Sequence, residues 1–242
     1  MKPGINIYGS TEEVIKAFSI MIQEQVESVS DDKKKFSIAL SGGKTAPILF
    51  DYLVEHYKKS INWRNVSLYW GDERCVPPDH PESNYGTAYQ HLIKHIKIPE
   101  ENVHRIMGEN DPYKEAIRYS QEIKEYLKEY NVLPRFDLII LGMGEDGHTA
   151  SIFPDQMELL NADNICGVAV HPQSKQKRVT LTGKIINNAS CVSFLVTGKS
   201  KAAVVSEILN NNVNSARYPA AHIKPNNGIL EWYLDKEAAM FF

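Results

Sequence analysis

The residues best suited to chemistry in this chain of 242 residues gather in four short runs of glycine and charge. In GMGEDGHTASIFP (142–154), glycines at 142, 144 and 147 permit a tight turn, and Asp146 precedes His148 by two residues. A neutral imidazole takes a proton from water near pH 7, and a carboxylate beside it orients the ring or shapes the turn. The Thr-Ala-Ser after His148 is suited to opening a helix. In GDER (71–74), Asp72 is placed to orient a hydroxyl or a water and Arg74 to stabilise a developing oxyanion. Glu73 reads as a surface carboxylate with no catalytic part.

The run IALSGGKTAPILF (38–50) has the look of a phosphate loop. The Walker spacing fails, because Ile38 stands where its first glycine belongs. What remains is a strand ending at Leu40, a turn of Ser41, Gly42, Gly43 and Lys44 whose backbone N–H groups can approach an anion, and a helix. In GKSKA (198–202) two lysines occupy the first turn of a helix, where they oppose its dipole unless an anion is bound. Lys201, with Lys44 as a second candidate, is read as a phosphate ligand, and Lys199 as a solvated side chain. Arg178, opening RVTLT (178–182), offers a guanidinium fork to the same group. Ser83, Asn84 and Tyr85, after a proline-rich loop, are candidates for sugar hydroxyls, with Ser83 also a helix cap. His171, beside Pro172 at a strand end, either lines the site or faces water.

Several chemistries have no support. GMGEDG (142–147) matches the letters of a dinucleotide fingerprint, but its two acids repel a pyrophosphate. There is neither H-E-x-x-H nor a pair of histidines at helical spacing, so no metal is expected, and no cofactor is implied. Ser41 is followed by two glycines rather than flanked by them, which argues against a nucleophile elbow and for direct attack by water. Three cysteines without a C-x-x-C pair suggest neither disulfides nor a zinc knuckle. A net charge of −3 with scattered basic residues argues against nucleic acid. The first residues lack a leader pattern, and no apolar run is long enough to span a membrane. A cytoplasmic protein with a small-molecule substrate and no obligate protein partner is expected.

The positioning elements follow from apolar periodicity. INIYG (5–9) leads into a helix opened by a Ser10/Glu13 capping box, FSIALSG (36–42) into a helix to about Tyr57, and VSLYWGDE (66–73) into the proline-rich loop. SNYGTAYQHLIKHI and the segment from Asp111 read as helices, the latter with Ala116, Ile117, Ile123, Tyr126, Leu127 and Tyr130 on one face. FDLIILGMG (136–144) is the most continuous apolar run, a strand buried on both faces. ICGVAV (165–170), RVTLT and CVSFLVTG (191–198) are further strands, the last feeding a helix from about Lys199 to Leu209. This alternation indicates an α/β fold with a mostly parallel sheet and helices on both faces, in one domain over residues 1–242. Four glycine-and-charge turns then fall at the carboxyl edge of the sheet, where such folds bind ligands.

The runs SGGKTAPILFDYL, YWGDERCVPPDHPESNYG, FDLIILGMGEDGHTASIFP, RVTLT, VTGKSKA and WYLDKEAA, in this order over nearly the whole chain, resemble the 6-phosphogluconolactonases. The related glucosamine-6-phosphate deaminases share the glycine turns and the Asp-Glu pair, but carry Ile-Ala-Phe-Asn-Glu-Pro after the histidine where this chain has Thr-Ala-Ser-Ile-Phe-Pro. The resemblance implies a modified Rossmann-like domain of the deaminase and ribose-5-phosphate isomerase superfamily, metal-free hydrolysis of 6-phospho-D-glucono-1,5-lactone, and His148 as the base that activates water. It implies Asp72 and Arg74 as the acid and arginine of the active site, Ser41, Gly42 and Gly43 as the substrate-holding turn, and Arg178 and Lys201 as phosphate ligands. Lys44 departs from the usual Ser or Thr, and QSKQK stands before RVTLT in place of a proline-rich stretch. Two other readings of the residues remain open. One is a deaminase or isomerase that moves a C2 proton with Asp72, and the other a sugar-phosphate sensor without turnover.

Overall fold

The computed structural model describes residues 3–28 and 35–242. Six strands pair in parallel in the order β1 (Gly4–Tyr8), β11 (Ile229–Asp235), β10 (Cys191–Val196), β7 (Leu138–Leu141), β2 (Phe36–Leu40) and β3 (Val66–Trp70). Every residue of β2, β3, β7 and β10 is buried, as expected where both faces of a parallel sheet are covered. The helix α1 (Thr11–Glu27) packs on α2 (Thr45–Tyr57) and on β11. At its start Ser10 Oγ accepts from the Glu13 N–H, while the Glu13 carboxylate reaches back to the N–H of Gly9, one residue beyond the usual box.

Two of the expected strands lie elsewhere. β8 (Cys166–Val170) and β9 (Lys177–Leu181) form an antiparallel sheet with the short β4 (Asp72–Arg74), in the order β4-β9-β8. The GDER run is therefore a strand of its own, and its register sets Asp72 opposite Thr180 and Arg74 opposite Arg178. The Leu181 N–H donates to Gly71 O at 2.8 Å, which ties this sheet to the end of β3. A further hairpin joins β5 (Glu129–Tyr130) to β6 (Leu133–Pro134).

The remaining helices depart from the sequence reading in detail. α3 spans Asn84–His91, and Ile93–His95 continues as a single 3-10 turn. α4 (Pro112–Tyr126) is capped by Asp111, which accepts from the N–H groups of Tyr113 and Lys114. Its buried face is Glu115, Ala116, Tyr119 and Ile123, whereas Ile117 and Tyr126 are exposed. Tyr119 is drawn inward because its hydroxyl satisfies both the N–H and the carbonyl of Trp70. No helix opens at Thr149. Thr149 and Ile152 form an isolated antiparallel bridge, Ala150 takes φ 47°, and Thr180 Oγ1 accepts from the Ser151 N–H at 3.1 Å. After the short α5 (Gly183–Ile186), the GKSKA segment is a 3-10 turn over Lys199–Lys201 followed by α6 (Ala202–Leu209).

Because all six strands run the same way, the turns after β2, β3, β7 and β10 share one edge. The chain leaves β2 towards β3 but leaves β7 towards β10 and β11, so its winding reverses between β2 and β7. At that reversal the Gly142 N–H donates to Ser41 Oγ at 3.3 Å, joining the two turns.

Candidate active site

A cleft of about 570 Å³ opens at this edge, and ten of the eleven site residues expected from the sequence line it. They are Ser41, Gly42, Gly43 and Lys44 after β2, Asp72 and Arg74 on β4, Asn84 on α3, His148 after β7, Arg178 on β9, and Lys201 after β10. Asp146, the eleventh, stands behind His148 and bonds its ring at 2.6 Å through Nδ1. An ionised carboxylate there assigns the proton to Nδ1 and leaves Nε2 as the basic nitrogen. Burial raises the Asp146 carboxyl, but the hydrogen bond and charge of His148 outweigh it, and the net direction is down. Asp146 is therefore ionised throughout the neutral range.

Backbone shape fixes this pair. Gly144 donates its N–H to His148 O at 2.9 Å, and a Cβ on Gly144 would lie 2.1 Å from His148 Nδ1 and 2.4 Å from Asp146 Oδ1. Gly144→Ala is expected to displace the imidazole by a good part of an ångström and lower kcat about 10²-fold with little change in KM. Steady-state kinetics of that variant would contradict this account if kcat stayed near native. Phe153 packs against the His148 ring, 4.9 Å between centroids, and His171 meets Phe153 in a T-shaped contact at 5.3 Å. His171 packs on Phe153 and is outside the cleft lining. Burial and the nearby charge of Arg178 hold its ring below the ordinary histidine range.

Asp72 is 5% exposed and borders the cleft. Its Oδ2 accepts from Ser151 Oγ at 2.6 Å, and Asn84 Nδ2 donates to its carbonyl at 2.9 Å and approaches Oδ1 at 3.5 Å. A Cβ on Gly42 would fall 1.8 Å from Asn84 Oδ1, so the absence of a side chain at 42 lets Asn84 reach Asp72. Gly43 takes φ +90°, a conformation natural to glycine, as the turn enters α2.

Glu73 is not a surface carboxylate. At 2% exposure it accepts from the N–H groups of Arg74, Asn84 and Tyr85 at 2.7–2.8 Å and from the Ser83 hydroxyl at 3.1 Å. Burial pushes its carboxyl up, against the lowering pull of those three N–H groups. A glutamine here would turn an NH2 group towards N–H donors. Glu73→Gln is expected to cost about 1–3 kcal/mol. Thermal unfolding should show a Tm decrease of about 2–12 °C, and an unchanged Tm would remove this structural role. Ser83 in turn caps α3 by accepting from the Gly86 N–H, and Tyr85 packs on Trp70 and under Arg105. Neither lines the cleft; of the three loop candidates, only Asn84 does.

The cations fall into two groups. Arg74 and Arg178 are register partners across β4 and β9, and among the described residues neither is ion-paired to a carboxylate. Arg74 Nη1 donates to Glu82 O at 2.6 Å, and both Nε–H groups are buried without a partner among the described residues. Burial and the charge of Arg74 hold the Arg178 guanidinium below its ordinary value. Arg178 and Lys201 line the same cleft; the charges acting on Arg178 are Arg74, Asp72, Glu82 and Glu73, and those acting on Lys201, which follows β10, are Glu145, Asp146 and Lys44. Burial lowers the Lys201 ammonium, with Lys44 lowering it further and Glu145 and Asp146 opposing. The turn that delivers Lys201 is held by Asp235 of the WYLD run, whose two carboxylate oxygens accept from the Gly198 N–H at 3.0 and 3.1 Å. Lys199 is exposed and lies outside the cleft lining.

The family whose description reads glucosamine-6-phosphate isomerases/6-phosphogluconolactonase matches residues 9–232. The chain belongs to this family. A 6-phosphogluconolactonase of Haemophilus influenzae is 48% identical over 204 residues, covering 83% of this chain and 85% of its own. The human 6-phosphogluconolactonase is 34% identical over 98% of this chain and 93% of its own. Among solved structures, 6-phosphogluconolactonase from Trypanosoma brucei superposes with a TM-score of 0.88 at 29% identity, covering 99% of this chain and 98% of its own. A monomeric glucosamine-6-phosphate deaminase shares the fold at 20% identity, with a TM-score of 0.82 over the whole of both chains. Family membership accounts for the α/β architecture with its central parallel sheet. Among the described residues no helix is long and apolar enough to cross a membrane.

Proposed function

We propose that this cleft hydrolyses 6-phospho-D-glucono-1,5-lactone to 6-phospho-D-gluconate. The single observation that carries the reading is the His148–Asp146 pair, with its Nε2 turned to a cleft lined by the Arg74–Arg178 and Lys44–Lys201 pairs. A phosphorylated lactone needs both groups. Its phosphate is mostly a dianion at neutral pH, and its carbonyl becomes an oxyanion and then a carboxylate. The phosphate is assigned to the N-terminus of α2, with the Ser41–Gly43 turn, Lys44 and Lys201, where free N–H groups and ammonium charges converge. The C1 carbonyl is assigned to the Arg74–Arg178 side, next to His148 and Asp72.

With the substrate so held, a water between His148 and C1 loses a proton to Nε2 as its oxygen bonds to the carbonyl carbon. Asp146 stabilises the imidazolium, and Arg74 and Arg178 face the oxyanion. Collapse breaks the bond between C1 and the ring oxygen, and the imidazolium returns its proton to that oxygen. Asp72, held by Ser151 and Asn84, positions the water or a ring hydroxyl. The same reading makes the protein a single-domain cytoplasmic enzyme that requires no cofactor and no obligate partner.

Substrate comparison tests the reading. The phosphorylated lactone is expected to react with a kcat/KM at least about 10²-fold above that of unphosphorylated gluconolactone, because the phosphate subsite is unused in the latter. Equal turnover of the two lactones would remove the phosphate assignment, and ammonia release from glucosamine 6-phosphate would favour deamination instead.

A further inference from the structure

Ser151 touches two groups of the cleft without lining it. Its hydroxyl donates to Asp72 Oδ2 at 2.6 Å, and Arg178 Nη1 approaches the same hydroxyl oxygen at 3.5 Å. Ser151 and Thr180 are wholly buried, and the bond from the Ser151 N–H to Thr180 Oγ1 fixes the backbone at that point. A carboxylate and a guanidinium that approach the same hydroxyl at the wall of the cleft would ordinarily meet as a direct forked pair. Here they do not. No ion pair joins Asp72 and Arg178 among the described residues, and Arg178 Nε has no partner. One Asp72 oxygen is occupied by the serine hydroxyl, and the other faces Asn84. The hydroxyl stands as a spacer between opposite charges.

We propose that Ser151 is a positioning residue whose hydroxyl occupies Asp72 and so keeps Arg178 available to the C1 oxygens of substrate and product. The inference rests on the lactonase reading above. Without the hydroxyl, Asp72 Oδ2 loses its donor and the Arg178 fork closes onto it. The cation is then withdrawn from the end of the cleft that receives the carboxylate, while the Lys44 and Lys201 end is untouched.

Calorimetric titration with two probes separates this from general damage: 6-phosphogluconate, which has the C1 carboxylate, and glucitol 6-phosphate, which lacks it. S151A is expected to weaken 6-phosphogluconate by about tenfold or more while changing glucitol 6-phosphate by less than about threefold. S151C, close in size and a weaker donor, should fall between S151A and the native protein. In a D72N background, where no carboxylate remains to capture Arg178, S151A should cost 6-phosphogluconate less than about threefold. Equal weakening of both probes, no weakening of either, or the same loss in the D72N background would overturn the role. Lactone turnover by the native protein is recorded alongside. Its absence would contradict the functional reading, whereas its presence with an unselective S151A would contradict only the role of Ser151.

Discussion

His148→Ala is expected to lower kcat for the lactone about 10²–10⁴-fold, the range of a positioned general base. The cleft of this variant keeps both cationic groups and the glycine turns, so KM should change little, and the residual rate reflects binding and oxyanion stabilisation alone. Folding should be nearly unaffected, because His148 and Asp146 are partly exposed, with side chains 27% and 44% accessible, and their pair contributes little in water. Single-turnover rates with saturating enzyme, together with a thermal unfolding curve, separate the two effects. A variant with native Tm and near-native kcat would take the base role away from His148.

The second large effect is expected at Lys201. Its ammonium is partly buried beside Lys44, and burial already disfavours its charge, so a dianionic phosphate is the partner that compensates. Lys201→Ala should reduce kcat/KM about 10²-fold or more, chiefly through KM. The same variant should lose little on a lactone without phosphate. Raising the salt concentration should weaken the native protein towards the variant, since the subsite opens to solvent. A loss confined to kcat, with KM unchanged, would place Lys201 at the reacting carbon instead.

Much of this site was legible in the sequence because parallel strands force their following turns to one edge. The apolar runs 36–40, 66–70, 138–141 and 191–196 are strands, and the glycine-and-charge turns after them converge as the alternation implied. Three features were hidden for identifiable reasons. β4 is only three residues long and pairs with a strand about a hundred residues later, so GDER carried no periodic signal and its arginine could not be matched to Arg178. Glu73 looked solvated because its partners are backbone N–H groups, which a sequence does not display. Ser151 meets Asp72 across 79 residues, and the Thr-Ala-Ser run that suggested a helix is bent instead by its bonds to Gly142 and Thr180. On α4 the stripe Ala116, Tyr119 and Ile123 has regular helical spacing and is the buried one, with the Tyr119 hydroxyl bonded to the Trp70 backbone, whereas Ile117 and Tyr126 lie off it and are exposed.

The central claim is tested most directly by the rate of acid release from freshly generated 6-phosphogluconolactone, at a pH where spontaneous opening is slow, with native protein, with His148→Ala, and with no protein, all with chelator present. The account predicts rapid release by the native protein and a catalysed rate at least about 10²-fold lower for the variant at equal concentration. A native rate no faster than the protein-free control, or a variant as fast as the native protein, would contradict it.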